Sequence, residues 1–234
     1  FQNRRNVDNE VYILQSHRLM SEVVKRLHLT VNYSVREGLR TADLYGRSPI
    51  EVDFINDNSK QKLSLEVTPL RNGKIELTDF EDKFVTRQET KRVILAEYGD
   101  TVATPVGQVV VHKTLFMDST YLKKPITVIK NSLAATTNAY RAAVKSDVAN
   151  KQASIVTISM NNSVPRRAED VINTLIAVYE EDAIADKRQL SVVTADFIKE
   201  RMQVIGRELG DVDRDIEDIK KSNKMIDITS EATR

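Results

Sequence analysis

The sequence predicts an α+β fold: a mixed sheet with helices packed on it, plus a long C-terminal helix projecting as part of a coiled coil. Three observations predict it. Short β-branched segments separated by Gly, Pro and Asn fill residues 29–129. Helical patterns bracket them. From Ser163 to about Lys224 an apolar period persists, with neither proline nor glycine between Pro165 and Gly206.

That last stretch organises the chain. Asn162 and Ser163 supply short polar caps, and Pro165 suits a first helical turn because its missing N–H would be unpaired there. Ile198, Met202, Ile205, Leu209, Val212, Ile216 and Ile219 then follow steps of 4, 3, 4, 3, 4 and 3, the seam of a coiled coil. Gly206 and Gly210 each weaken this helix by about 1 kcal/mol relative to alanine. A helix of about 60 residues is roughly 90 Å long. One domain cannot cover it, so its far end is expected to project and to bury its seam on another helix. The expected division is a base domain over 1–190 and a coiled-coil extension over 191–234.

Before it, Asp8 or Asn9 can cap a helix running to about Leu27, with Ile13, Met20, Val24 and Leu27 on one face and His17 at its boundary. Leu29, Val31, Tyr33 and Val35 alternate as a strand. Gly38, Gly46 and Ser48-Pro49 mark residues 36–49 as a loop. Strands are expected at 50–55, 63–67, 75–77, 93–98, 106–115, 126–129, 144–148 and 155–160, with a tight turn at Asn72-Gly73 and a helix over 132–143.

The 35 basic and 34 acidic residues nearly cancel, which argues against a nucleic-acid surface. With no cysteine there is neither a disulfide framework nor a thiolate zinc site. No run of about 20 apolar residues crosses a bilayer. The start at Phe1 without methionine, and the end just past the heptads, are read as those of a fragment.

Residues that could carry chemistry mostly have plainer readings. His17, His28 and His112 lie too far apart in sequence for metal-ligand spacing. Asp211, Asp213 and Asp215 start like a calcium loop, but Ile216 and Ser222 stand where glycine and glutamate are needed. Gly73-Lys74 lacks the rest of a phosphate loop. Arg166, Arg167, Lys187, Arg188, Lys199, Arg201, Arg207 and Arg214 form a basic stripe offset by acidic neighbours, the pattern of a solvated helix face. No cofactor, metal or catalytic residue is assigned.

Three stretches carry a resemblance to a known family: NEVYILQSHRLMSEVVKRLHL (9–29), RTADLYGRSPIEV (40–52) and SVPRRAEDVINTLIAVYEEDAIADKRQLSVVTADFIKERM (163–202). In the third, Pro165, Ala168, Asn173, Leu175, Tyr179, Phe197 and Ile198 carry the match. They resemble the periplasmic domain of the chain-length-determinant family, or polysaccharide co-polymerases, closest to the branch fused to a cytoplasmic tyrosine kinase. The resemblance implies flanking transmembrane helices outside this sequence and a periplasmic α/β base with a helical extension. It implies homo-oligomeric rings on the bacterial inner membrane that govern chain length or export of capsular, exopolysaccharide or O-antigen polymers. The partners implied are the polymerase or export machinery and the polysaccharide itself; any autophosphorylating kinase lies in a cytoplasmic domain absent here.

The leading expectation is thus an assembly module without chemistry of its own. An adaptor subunit of an export pump also carries a coiled-coil hairpin, but between halves of a lipoyl-like β domain. A glycan hydrolase would need paired carboxylates, for which Asp53, Asp57, Glu66 and Glu76 are available without a distinguishing spacing.

Overall fold

The computed structural model describes residues 9–55, 61–83, 85–148 and 155–231, with side chains in the final helix described through 212 and at 214–216 and 219. The chain divides into two compact units, Phe1–Tyr179 and Glu180–Arg234. The division at 179/180 falls earlier than the expected 190/191, just after Val178, which is buried with Val171 and Leu175.

Two helical pieces open the first unit, α1 over residues 9–14 and α2, His17–Arg26. The single helix expected to Leu27 is broken at Ser16, whose extended backbone and side chain, accepting from the Leu19 N–H at 3.3 Å, cap α2. The break turns Leu14 into the core and exposes His17, which is not the boundary residue expected. The α1–α2 junction is tied down from elsewhere: the Arg141 Nε–H donates to the Gln15 carbonyl at 3.0 Å, and Gln15 Nε2 to the Ser146 carbonyl at 3.2 Å. Asp8, the other proposed cap, lies outside the described residues.

α2 ends with Leu29 N–H bonded to the Val24 carbonyl and His28 N–H to the Lys25 carbonyl. This double closure places His28 at the left-handed position, φ +50°. The strands are β1 (Val31–Glu37), β2 (Arg40–Asp43), β3 (Ile50–Ile55), β4 (Leu63–Pro69), β5 (Lys74–Glu81), β6 (Ile94–Glu97), β7 (Thr101–Thr104), β8 (Gly107–Lys113), β9 (Ile126–Lys130), β10 (Val144–Val148) and β11 (Val156–Met160). The short helix α3 (Arg87–Thr90) precedes β6, and α4 (Leu133–Ala143), capped by Ser132, follows β9. α5 runs Pro165–Glu231.

Among the described residues the strands form three sheets, ordered β2-β1-β9-β4-β5-β6, β3-β8-β7 and β10-β11. Every ladder is antiparallel, which corrects the expected mixed sheet. Alternation reports that a strand has one buried face, but not the direction of its neighbour. The loop expected over 36–49 holds the β1–β2 hairpin instead, with Glu37 opposite Arg40 and Gly38 at φ +62° in the turn. Glycine with positive φ first in a two-residue turn matches the twist of the strands it joins. β7 was not expected; it pairs with β8 across Pro105.

Two cores result. One gathers Ile50, Leu65, Val67, Leu77, Phe80, Val111, Ile126 and Val128 from the six- and three-stranded sheets. Among the described residues no helix contributes a buried residue to it; the helices pack on the two-stranded sheet instead. They bury Leu19, Met20, Val23, Val24, Val171 and Leu175 with Val144 of β10. Before α5, Asn162 Oδ1 accepts the Val164 N–H at 2.9 Å, and Val164, which has no side-chain oxygen, stands immediately before Pro165.

Leu65, fully buried on β4 between β9 and β5, is expected to be the most sensitive type of position in the sheet core. Leu65→Ala should lower unfolding stability by about 2–5 kcal/mol, through lost transfer energy and a cavity. Denaturant titration checks this, with an unchanged slope and a shifted midpoint expected.

Candidate functional site

In the first unit, the turn after β2 meets the start of α5. Asp43 closes this region on itself: its Oδ1 accepts the Tyr45 N–H at 2.9 Å. The Arg47 N–H bonds the Leu44 carbonyl at 3.0 Å, and the third residue of that turn, Gly46, has φ +68°. Only glycine adopts such a position at little cost. Beyond the turn, the Ser48 hydroxyl donates to the Ile50 carbonyl and Thr114 Oγ1 donates to the Ser48 carbonyl, each at 2.6 Å.

Arg167, on the first turn of α5, reaches this turn. It is only 8 % exposed, and its Nη2 donates to Asp43 Oδ1 at 2.8 Å. The guanidinium lies over the Tyr45 ring, 4.6 Å from its centre. The Tyr45 hydroxyl donates to Asp170 Oδ2 at 3.0 Å, one turn along α5. Arg167 Nε is buried without a hydrogen-bond partner. Arg166 beside it is exposed, with its guanidinium against Gly46: a Cβ there would sit 3.7 Å from Cζ. Tyr140 of α4 is close enough for its phenol to feel both Arg167 and Asp43, and burial pushes its pKa up.

A cavity of 370 Å³ opens beside this cluster. Its wall includes Tyr33 and Asn32 of β1, Tyr45, Glu51 and Asp53 of β3, Phe116, Arg166, Arg167 and Asp170. The volume falls in the range of small-ligand sites, about 300–1,000 Å³. The Tyr33 hydroxyl accepts the Val52 N–H at 2.9 Å, leaving its own proton to donate. Asp53 Oδ2 is 3.2 Å from His112 Nε2 across the β3–β8 ladder.

The heptad residues are in the second unit, on α5. Ile198, Met202, Ile205, Leu209, Val212, Ile216 and Ile219 are all exposed, from 44 % at Ile216 to 68 % at Met202. The seven share one stripe of a continuous helix, and Leu190, Val193 and Phe197 precede them, also exposed. The basic stripe divides: Arg167 is buried and paired, which corrects its reading as a solvated charge, whereas Lys187, Arg188, Lys199, Arg201, Arg207 and Arg214 are exposed. Arg214 is 3.3 Å from Asp211, so that acid pairs within the helix. Gly73-Lys74 lies in the β4–β5 hairpin, with Lys74 Nζ 3.8 Å from Glu97.

Of the hydrolase carboxylates, the described ones divide between two sheets. Asp53 is on the three-stranded sheet. Glu66 and Glu76 are on the six-stranded sheet, opposite Thr78 and Thr68, and Asp57 lies outside the described residues. Partial burial and then the neighbouring Asp79 raise the Glu66 pKa. Among the described residues, no group of three or more His, Asp and Glu is placed to hold a metal ion, and no helix is long and apolar enough to cross a membrane.

In the sequence Asp43 and Tyr45 stand only inside a longer family-like stretch, Arg167 reads as part of a basic stripe and Asp170 as an acid of the first helical turns; nothing local shows that they meet. Two local signals existed: a turn with an Asp two residues before a Tyr-Gly pair, and two arginines opening a helix, where the dipole disfavours cations. No protein-family model matches the chain, and no curated protein matches it in sequence.

Arg167→Ala should destabilise the first unit by about 1–3 kcal/mol, because Asp43 loses a charged donor and Tyr45 its packing. Asp43→Ala is expected to do similar damage and the double variant little more than either, measured as a double-mutant cycle in urea.

Three phenols set a limit at alkaline pH. Tyr33 is pushed up to about 12 by burial first; Tyr45 also to about 12, by burial and then by the bond it donates to Asp170. Tyr179 reaches about 12 because its hydroxyl donates to Glu10, with burial second. A folded-state pKa above the unfolded value of 10 means that this contribution is complete below pH 10 and is lost as pH rises towards 12. Melting temperature should therefore fall across that window while phenolate absorbance lags that of free tyrosine. Tyr45→Phe should flatten part of the fall.

Proposed function

We propose that this chain is the periplasmic part of an inner-membrane polysaccharide co-polymerase, working as an oligomeric assembly module on the periplasmic face of the bacterial inner membrane. The observation that carries the proposal is the exposed 4-3 seam of α5, from Ile198 to Ile219. An apolar stripe of that length is a docking surface rather than scattered surface residues.

The seam's composition supports assembly of several copies. As a heptad it puts Met202, Leu209 and Ile216 at a, and Ile198, Ile205, Val212 and Ile219 at d. β-Branched residues at d with leucine at a favour bundles of more than two helices over a parallel pair. The meeting of the second and third family-like stretches at Asp43–Arg167 is also consistent with a shared architecture. In this reading the polymerase or export machinery and the polysaccharide are the partners, and control of chain length is exerted by the assembled ring.

The mass of the chain in solution over a range of concentrations tests it, with Leu209→Asp alongside. Burying an unpaired carboxylate in a seam is costly. Self-association of the parent and a monomeric variant are expected; monomers in both cases would overturn assembly through α5.

A further inference from the structure

We infer that the 370 Å³ cavity beside the first turn of α5 binds a neutral sugar residue through Arg166, Glu51 and Asp53, which all line it. The reading of the chain as a polysaccharide module identifies where the sugar would come from; the chemistry of the wall identifies the sugar.

Sugar hydroxyls each donate and accept, so their site needs both kinds of partner within one small cavity. The cavity provides both. Glu51, Asp53 and Asp170 are acceptors, with one oxygen of Asp53 beside His112 and one of Asp170 taken by the Tyr45 hydroxyl. On the donor side, the Tyr33 hydroxyl keeps its proton for a ligand. Arg166 makes no ion pair among the described residues, and its guanidinium lies 3.7 Å from where a Cβ at position 46 would be. Arg167 is nine-tenths buried, lines the cavity and has an Nε–H with no acceptor. That Nε has no accessible surface to offer a ligand, which leaves the Tyr33 hydroxyl and the Arg166 guanidinium as the donors. The rings of Tyr33, Tyr45 and Phe116 supply apolar surface for the face of a pyranose.

Charge selects a neutral sugar over an acidic one. Arg167 is already balanced by Asp43, which leaves Arg166 and His28 against Glu51, Asp170 and Asp53, the last of them 3.2 Å from His112. A hexuronate or a phosphate would add a negative charge to a wall already in acidic excess.

Saturation-transfer NMR on the full chain tests this, using disaccharides of glucose, galactose and N-acetylglucosamine, with glucuronate in parallel. Concentrations up to about 10 mM cover the weak affinities of small ligands. At least one neutral disaccharide should show transfer, and more than glucuronate does. Arg166→Ala and Glu51→Gln should each weaken it about tenfold, the loss of one charged hydrogen bond. Both positions are exposed, so unchanged melting temperatures are expected to accompany the loss. No transfer from any neutral disaccharide, binding indifferent to both variants, or preference for glucuronate would each overturn the inference. Mass measured on the same samples separates the two readings: association without sugar binding sinks this one alone, and binding by a monomer sinks assembly alone.

Discussion

The buried guanidinium of Arg167 is the constraint on which the start of α5 depends. A guanidinium so little exposed is tolerated only with a counter-charge and a well-shaped surface, because desolvating a cation costs several kcal/mol. Asp43 provides the first and Tyr45 the second, and both belong to one turn of chain. Tyr45 then returns to α5 through Asp170. The result is a closed circuit of helix, turn and helix again, which fixes where α5 begins relative to β2. From there Val171, Leu175 and Val178 fall onto the helical core. The cavity wall is a by-product of the same circuit: holding the turn against the helix puts Tyr45, Gly46, Arg166 and Arg167 along one lining.

The strands were legible where one face is buried and the other is not. β4 is the clearest case, with Leu63, Leu65 and Val67 buried and Ser64, Glu66 and Thr68 partly exposed between them. The β1–β2 hairpin was missed because Arg36, Glu37, Arg40 and Thr41 are polar on both faces, leaving no period to read. β7 is too short to show one. Ser16 was hidden because a capping serine inside an apolar period looks like any tolerated polar residue until its backbone is seen to be extended.

The site was harder to read than the fold, for a different reason. The seam of α5 is a local pattern, and a period of 4 and 3 survives in the sequence whatever the chain does elsewhere. Arg167 has no such local mark. It looks like Arg166 or Arg188, and what distinguishes it is a partner 124 residues away. Charge patterning sees neighbours in sequence, and burial is decided by neighbours in space. The two opening arginines of α5 were a conflict with the helix dipole, and such conflicts are where a sequence points beyond its own local rules.

β9 has the last word on the sheet. It lies between β1 and β4, yet it follows both in the chain, at Ile126–Lys130. β1–β2 and β4–β5–β6 are each local antiparallel pieces that can form from short loops. Neither can join the other until β9 arrives to pair with both. A ribosome must therefore deliver residue 130 before the six-stranded sheet exists at all, and until then two open strand edges face solvent. Closure of this sheet is a non-local step, of the kind whose loop-closure entropy must be met before the contacts form.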